Sequence, residues 1–308
     1  MGKPSEVLKS YGKSFYWAGK FLPIKNFDKA AELYMFCRKL DDIADKQQNK
    51  DIQQNKDKLI ILKEIKQAIK NKKFESLQKY DLQFPTFLLN SNLVILVITD
   101  LIDGLIFDQG NVQIKNVNEL LNYSYKVAGT VGILMCIALD CYDKKAYKFA
   151  VDYGISMQIT NIMRDISEDA EINRCYLPMS LTNNLAFSDI YFLQTNFDNK
   201  IEHKLIIDTL KELNNLSEKF YSSGKKGFYY LPFKTRIGIA VAGAVYREIR
   251  VILKRRSYNW YMGRVKTNFF QKLKVTIPNI LLQVFKPYYK LPQFDNKMHD
   301  NLKYFLND

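Results

Sequence analysis

Two short stretches of this chain set acidic side chains where a cation could sit between them. In the first, Asp41 and Asp45 are four residues apart, so on a helix they share a face, with Tyr34 and Arg38 in the same narrow arc. In the second, Gln158, Asn161, Asp165 and Asp169 form a polar face beside an apolar stripe of Ile155, Ile159, Ile162 and Ile166. The isoleucines pack that helix and leave the polar face for other work. Carboxylates one turn apart repel each other, and a divalent cation turns that repulsion into binding. Oxygen ligands suit Mg²⁺, with Mn²⁺ as the alternative, and Mg²⁺ completes its shell with water and phosphate oxygens. A lone Asp-x-x-x-Asp is more often a solvated acidic face. Two of them, each with an arginine nearby on a largely apolar helix, point to a site.

The rest of the composition narrows the chemistry. Lysine and arginine number 46 against 32 acidic residues, a net charge of +14, which calls for an anion: nucleic acid, anionic lipid or a phosphorylated substrate. No basic recognition motif accompanies the charge, so nucleic acid is not expected. The two histidines and four cysteines lack zinc-ligand spacing. Cys37, Cys136 and Cys141 lie in apolar surroundings and read as reduced core thiols.

Helices must position these residues. Glycine (13) and proline (8) are sparse, too few turn-formers for a many-stranded protein. Helical patterns cover 28–45, 59–71, 86–107, 118–140, 200–221 and 236–256, with 144–171 as one long helix or two and a further helix near the end. The polar run 46–58 reads as a surface loop and 181–199 as a loop with short helical pieces. The expectation is an all-α, single-domain protein over 1–308. No secretory leader, myristoylation signal or apolar run near the roughly 18 residues of a membrane span is evident. The expected location is cytoplasmic, with peripheral contact at the inner face of a membrane.

Arg38-Lys39-Leu40-Asp41-Asp42-Ile43-Ala44-Asp45 resembles the first aspartate motif of the squalene/phytoene synthase family. Gln158-Ile159-Thr160-Asn161-Ile162-Met163-Arg164-Asp165-Ile166-Ser167-Glu168-Asp169, with Arg174-Cys175-Tyr176-Leu177-Pro178 after it, resembles the second. Lys13-Ser14-Phe15 and Phe21-Leu22-Pro23 are similar to its N-terminal flap. The stretch from Tyr123 to Gly132 is similar to its central helix, and Ala240 to Tyr246 with Gly263-Arg264-Val265 to its C-terminal core. The resemblance runs from about residue 10 to about residue 270. It implies an isoprenoid-synthase-type helical bundle around a central cavity. It also implies Mg²⁺ held by Asp41, Asp45, Asn161, Asp165 and Asp169, these aspartates and Tyr123 being catalytic. Ser14, Phe15, Tyr34, Arg38, Gln158, Asn161, Arg164, Arg174, Tyr176, Tyr246 and Arg264 would bind prenyl diphosphate. Gly129 and Gly132 either make room for a prenyl tail or let helices pack closely.

The reaction implied is head-to-head condensation of two prenyl diphosphates through a cyclopropyl diphosphate. The sequence is most like the branch that joins two geranylgeranyl diphosphates in carotenoid biosynthesis, without a nicotinamide. The alternatives are a squalene-, dehydrosqualene- or hydroxysqualene-type synthase using farnesyl diphosphate, and a non-catalytic assembly factor of the same fold. Oligomeric state is left open. Residues 249–294 hold ten cations and no carboxylate, together with Trp260, Tyr261, Phe269, Phe270, Phe285, Tyr288 and Tyr289. This composition favours salt-sensitive docking on anionic membrane that weakens when Lys272, Lys274, Lys286 and Lys290 are neutralised.

Overall fold

The structure, a computed structural model, describes residues 3–45, 52–89, 91–285, 291–300 and 302, without the side chains of 45 and 52–56. Thirteen α-helices are formed among them. The first five are α1 (Pro4–Tyr11), α2 (Lys13–Gly19), α3 (Ile24–Asp45), α4 (Ile52–Lys70) and α5 (Asn92–Phe107). There follow α6 (Val117–Ser124), α7 (Thr130–Ala138), α8 (Lys145–Arg164), α9 (Ile166–Glu171) and α10 (Phe187–Leu193). The long α11 (Lys200–Lys226), α12 (Phe233–Arg255) and α13 (Phe269–Phe285) complete the bundle. The fold is all-α, as the sparse glycine and proline imply. Two two-residue strands, β1 (Val112–Gln113) and β2 (Arg174–Cys175), pair in parallel. No sequence pattern announced them.

Local departures from the expected elements have physical causes. Helix α4 begins at Ile52, inside the run read as a loop; that run has no glycine or proline, and Gln and Lys are good helix formers. The expected helix at 86–107 is a 3₁₀ turn at Thr86–Leu88 and then α5, whose N-cap Ser91 accepts from the Val94 amide at 3.4 Å. Between α6 and α7 the chain stays helical through a π turn, Tyr125–Gly129. The resulting helix, Val117–Ala138, contains an 18-residue window of mean hydropathy 1.3, so it is long and apolar enough to cross a membrane although no uninterrupted apolar run suggested it. Here it packs inside the bundle against α5 and α8.

Helix α8 is the central strut, packed on α7, α11 and α12. Its approach to the α6–α7 helix is set by glycines. A Cβ on Gly154 would lie 2.3 Å from the Ala128 carbonyl oxygen, and one on Gly132 would lie 2.3 Å from that of Ala150. Gly132 therefore serves close helix packing, and it lines the central cavity as well. On α11, Ser217 Oγ donates to the Ser156 carbonyl at 2.9 Å, and Tyr221 stacks on Tyr153 at 5.4 Å. The chain returns after α13 to bury His299, whose Nε2 lies 2.5 Å from the carboxylate of Asp152 on α8. All four cysteines are free, and Cys136, Cys141 and Cys175 are buried.

The basic C-terminal stretch divides. Trp260 is buried, stacked on His203 at 5.7 Å, so it is a core residue and not an interfacial one. Arg250 is buried and Arg255 pairs with Glu248 at 3.2 Å. Lys286, Tyr288, Tyr289 and Lys290 lie outside the described residues.

Candidate active site

A cavity of about 360 Å³ runs between α2, α3, the α6–α7 helix, α8 and α12. Its lining is apolar except for Asp41, Gln158 and Asn161, with the phenols of Tyr34, Tyr153 and Tyr246. Helix α3 buries Leu33, Phe36, Leu40 and Ala44 on one face, which turns Tyr34, Cys37 and Asp41 toward the cavity. Arg38 pairs with Asp42 at 2.7 Å, and its guanidinium lies 5.1 Å from the Tyr11 ring centre. Burial pushes the Tyr34 phenol up to about 12, against the pull of Arg38. The side chain of Asp45 lies outside those described.

Helix α8 brings Gln158 and Asn161 to the same cavity. Asn161 Nδ2 donates to Gln158 Oε1 at 3.2 Å, and Asn161 Oδ1 is a buried acceptor with no donor. Such an oxygen next to a cavity suits a hard cation. The helix ends at Arg164, and Asp165 (φ −109°, ψ 20°) is the joint before α9. The continuous polar face read from the sequence therefore bends at Asp165. Its carboxylate receives two forks: Arg164 Nε and Nη2 at 2.6 and 2.5 Å, and Arg264 Nε and Nη2 at 2.8 and 3.0 Å. Burial works to raise its pKa, but the arginines prevail and hold it below the usual carboxylate range.

One turn beyond the bend, Asp169 faces a narrow crevice with Arg174 and Tyr176. Burial first, then the nearby Asp165, pushes its carboxyl well above the ordinary value, against the pull of Arg174. Tyr123 stacks on Tyr176 at 4.8 Å. Their hydroxyls converge on one carboxylate, Tyr123 donating to Asp108 Oδ2 at 3.0 Å and Tyr176 to Oδ1 at 2.8 Å. Arg174 Nη2 donates to the Asp108 carbonyl at 3.1 Å. Asp108, at the C-cap of α5, was not singled out from the sequence. Its one visible sign is a third acidic residue, after Asp100 and Asp103, closing a largely apolar helix.

The flap residue Phe15 closes the remaining side. It stacks on Tyr246 at 5.0 Å and tilts against Tyr34 at 6.3 Å. Ser14 beside it is half-buried and does not line the cavity. Tyr34 and Asp41 on α3, Gln158 and Asn161 on α8 and Tyr246 on α12 line the same cavity, and Tyr246 lies within the field of Arg164, Asp165 and Arg264. The two acidic helices thus share one polar rim over an apolar chamber. Among the described residues, no three His, Cys, Asp or Glu side chains already form a metal-ready cluster.

The family model for squalene/phytoene synthase matches residues 8–272. The chain belongs to the squalene/phytoene synthase family. Among curated relatives, a phytoene synthase from Pseudescherichia vulneris is 27% identical over 278 residues, covering 87% of each chain. A 15-cis-phytoene synthase from Enterobacter agglomerans is also 27% identical, covering 86% of this chain and 90% of its own. A dehydrosqualene synthase crystal structure has a TM-score of 0.71 at 22% identity over 90% of this chain and 93% of its own. Squalene synthase HpnC from Alicyclobacillus acidocaldarius has a TM-score of 0.65 at 17% identity, covering 83% and 95%. These two likenesses establish the family's helical fold.

Proposed function

We propose that this enzyme joins two geranylgeranyl diphosphates head to head to give phytoene. The observation that carries the reading is the apolar chamber capped by a rim that holds both carboxylates and arginines. The relatives named phytoene synthase, similar over most of both lengths, supply the substrate class.

The chain's own residues have distinct tasks. Arg164 and Arg264 present planar forks that match a diphosphate as well as they match Asp165. A diphosphate that took those donors would leave the Asp165 carboxylate free to act as a ligand. Asp41 and the buried, donor-free oxygen of Asn161 would hold a divalent cation, Mg²⁺ in this reading, with Asp45, Asp165 and Asp169 as further ligands. When bound, that cation neutralises the departing diphosphate as a Lewis acid. The apolar walls exclude water from the allylic cation, and the stacked faces of Phe15 and Tyr246 border it. Asp108 fixes the Tyr123 and Tyr176 rings through their hydroxyls.

The test is direct. Purified protein with Mg²⁺ and no NADPH is given geranylgeranyl or farnesyl diphosphate, and the hydrocarbon is identified by mass spectrometry. Phytoene from the longer substrate is expected. A C30 hydrocarbon made preferentially from farnesyl diphosphate overturns the substrate assignment, and no hydrocarbon from either overturns the reaction.

A further inference from the structure

Helix α13 reverses the arrangement of a surface helix in a water-soluble protein. Such a helix turns its apolar stripe to the core and its polar side chains to water. On α13 the fully buried side chains are Thr276 and Gln283. Facing outward are Phe270 (78% exposed), Leu273 (37%), Ile277 (50%), Leu281 (50%) and Phe285 (76%), at i, i+3, i+7, i+11 and i+15. That spacing makes one unbroken stripe along the helix. Of the twenty-three large apolar side chains exposed among the described residues, eight are on these 17 residues. Scattered apolar exposure is normal, but a contiguous stripe marks an interaction surface.

The helix is fixed in place rather than loosely attached. Trp17 Nε1 on α2 donates to Thr276 Oγ1 at 3.0 Å, and Val275 and Ile280 pack on Ala18, Val241 and Val245. Ala18 on α2 and Ala242 on α12 also line the cavity. The stripe therefore lies one layer of helix away from that chamber.

Charge identifies what covers the stripe. No Asp or Glu occurs between Val7 and Phe27, nor between Ile249 and Phe294. The structure brings these two acid-free segments together as α2 and α13, with Lys13 close enough to Lys272 to interact electrostatically. Lys20 and Lys274 are exposed beside them. A second copy of this chain, docked face to face about a two-fold axis, would bring these lysines against their own counterparts with no carboxylate to offset them. A bilayer of anionic phospholipid offers acyl chains to the stripe and negative headgroups to the lysines. We propose that α13 is a membrane-docking helix that lies in the plane of an anionic bilayer with Phe270, Leu273, Ile277, Leu281 and Phe285 inserted below the headgroups. The electrostatic attraction expected from the sequence is then a steering contribution, and insertion of the stripe is what retains the protein.

The experiment is flotation of the full-length protein with vesicles of phosphatidylcholine alone or mixed with phosphatidylglycerol. Wild type is expected to float with the mixed vesicles at low salt and to bind the neutral ones weakly. The variant Leu273→Gln/Ile277→Gln/Leu281→Gln is expected to lose binding about tenfold or more, since lipid affinity scales with inserted apolar area. The variant Lys272→Gln/Lys274→Gln is expected to lose mainly the salt-sensitive part. Neither set touches the reaction centre, so turnover on detergent-solubilised substrate reports the function proposed above separately. A second readout avoids dependence on the folding of the triple variant. Ile277→Cys, labelled with an environment-sensitive fluorophore, is expected to shift to the blue on adding mixed vesicles. Absence of flotation at low salt, unchanged binding of a folded triple variant, or an unshifted probe overturns the proposal. A dimer in sedimentation that the triple substitution dissociates, without vesicle binding, overturns it in favour of an interface between copies.

Discussion

At the scale of single residues, Asp165 is the hinge of the chemistry. Two arginine forks hold its carboxylate while one face of Asn161 stays without a donor a turn earlier. Replacing Asp41, Asp45 or Asp165 by Ala is expected to lower kcat by about 100-fold or more, the scale for removing transition-state charge stabilisation. Circular dichroism should stay close to wild type in all three, while Asp165→Ala should also lower the unfolding temperature because Arg164 loses its buried partner. Near-normal turnover in all three would exclude the proposed metal site. A second residue-scale prediction concerns stability. Asp140 accepts from Asn26 at 2.9 Å and Lys29 at 2.6 Å. Burial opposes its ionisation, but the bonds from Lys29 and Asn26 outweigh burial and hold its carboxyl below the ordinary 3.8. With the folded pKa depressed, the stabilisation is complete above that ordinary value and is lost as pH falls through the folded one. The side chain is 37% exposed, so water screens the pair. Asp140→Asn is therefore expected to cost only about 0.5–1 kcal/mol at neutral pH. Urea unfolding should show the gap closing as pH drops below 3.8. A gap that persists into acid would assign it to something other than charge.

At the scale of elements, the position of α8 against the α6–α7 helix decides where Gln158 and Asn161 point. Gly154 permits that approach, since a methyl there would meet backbone atoms at 2.3 and 2.7 Å, which cannot swing aside. Gly154→Ala is expected to destabilise the protein by about 1–3 kcal/mol, the usual cost of overpacking. Activity should fall even at temperatures where the protein stays folded, because the two helices must separate. Thermal unfolding together with turnover well below the midpoint checks both, and a variant as stable and active as wild type would show that the contact can relax. The π turn at Tyr125–Gly129 is a second element-scale device. Its first residue, Tyr125, donates to Asp100 Oδ2 at 2.5 Å, so a carboxylate of the largely apolar α5 is matched by a phenol and not left bare.

At the scale of the whole molecule, the cavity and the charge distribution belong together. A net charge of +14 surrounds a chamber whose lining, among the described residues, includes one carboxylate, Asp41. Such a field draws an anionic headgroup to the rim while the apolar lining takes its hydrocarbon tail. Removing divalent cations with a chelator is expected to abolish turnover, and Mg²⁺ to restore it. Geranylgeranyl diphosphate is expected to show a higher kcat/KM than farnesyl diphosphate. Steady-state assays with both substrates, before and after chelation, measure both effects. Turnover that survives chelation would remove the cation from the mechanism.

The sequence by itself determined the helical class, because helix periodicity and the scarcity of glycine and proline are local properties. It also marked Asp41, Asn161, Asp165 and Asp169, because residues three or four apart on a helix share a face whatever surrounds them. Tertiary structure decided what those side chains meet. Arg264 reaches Asp165 across 99 residues of sequence, and Asp108 gathers Tyr123 and Tyr176 from 15 and 68 residues away. No local pattern encodes such pairings. The sequence leaves 144–171 open as one helix or two, because the apolar stripe continues from Ile162 to Ile166; the structure makes two, and the bend at Asp165 sends Asp169 into its own crevice. The outward stripe of α13 was illegible for a similar reason. Periodicity shows that a helix has an apolar face, but only its packing on α2 and α12 shows that this face points away from the core.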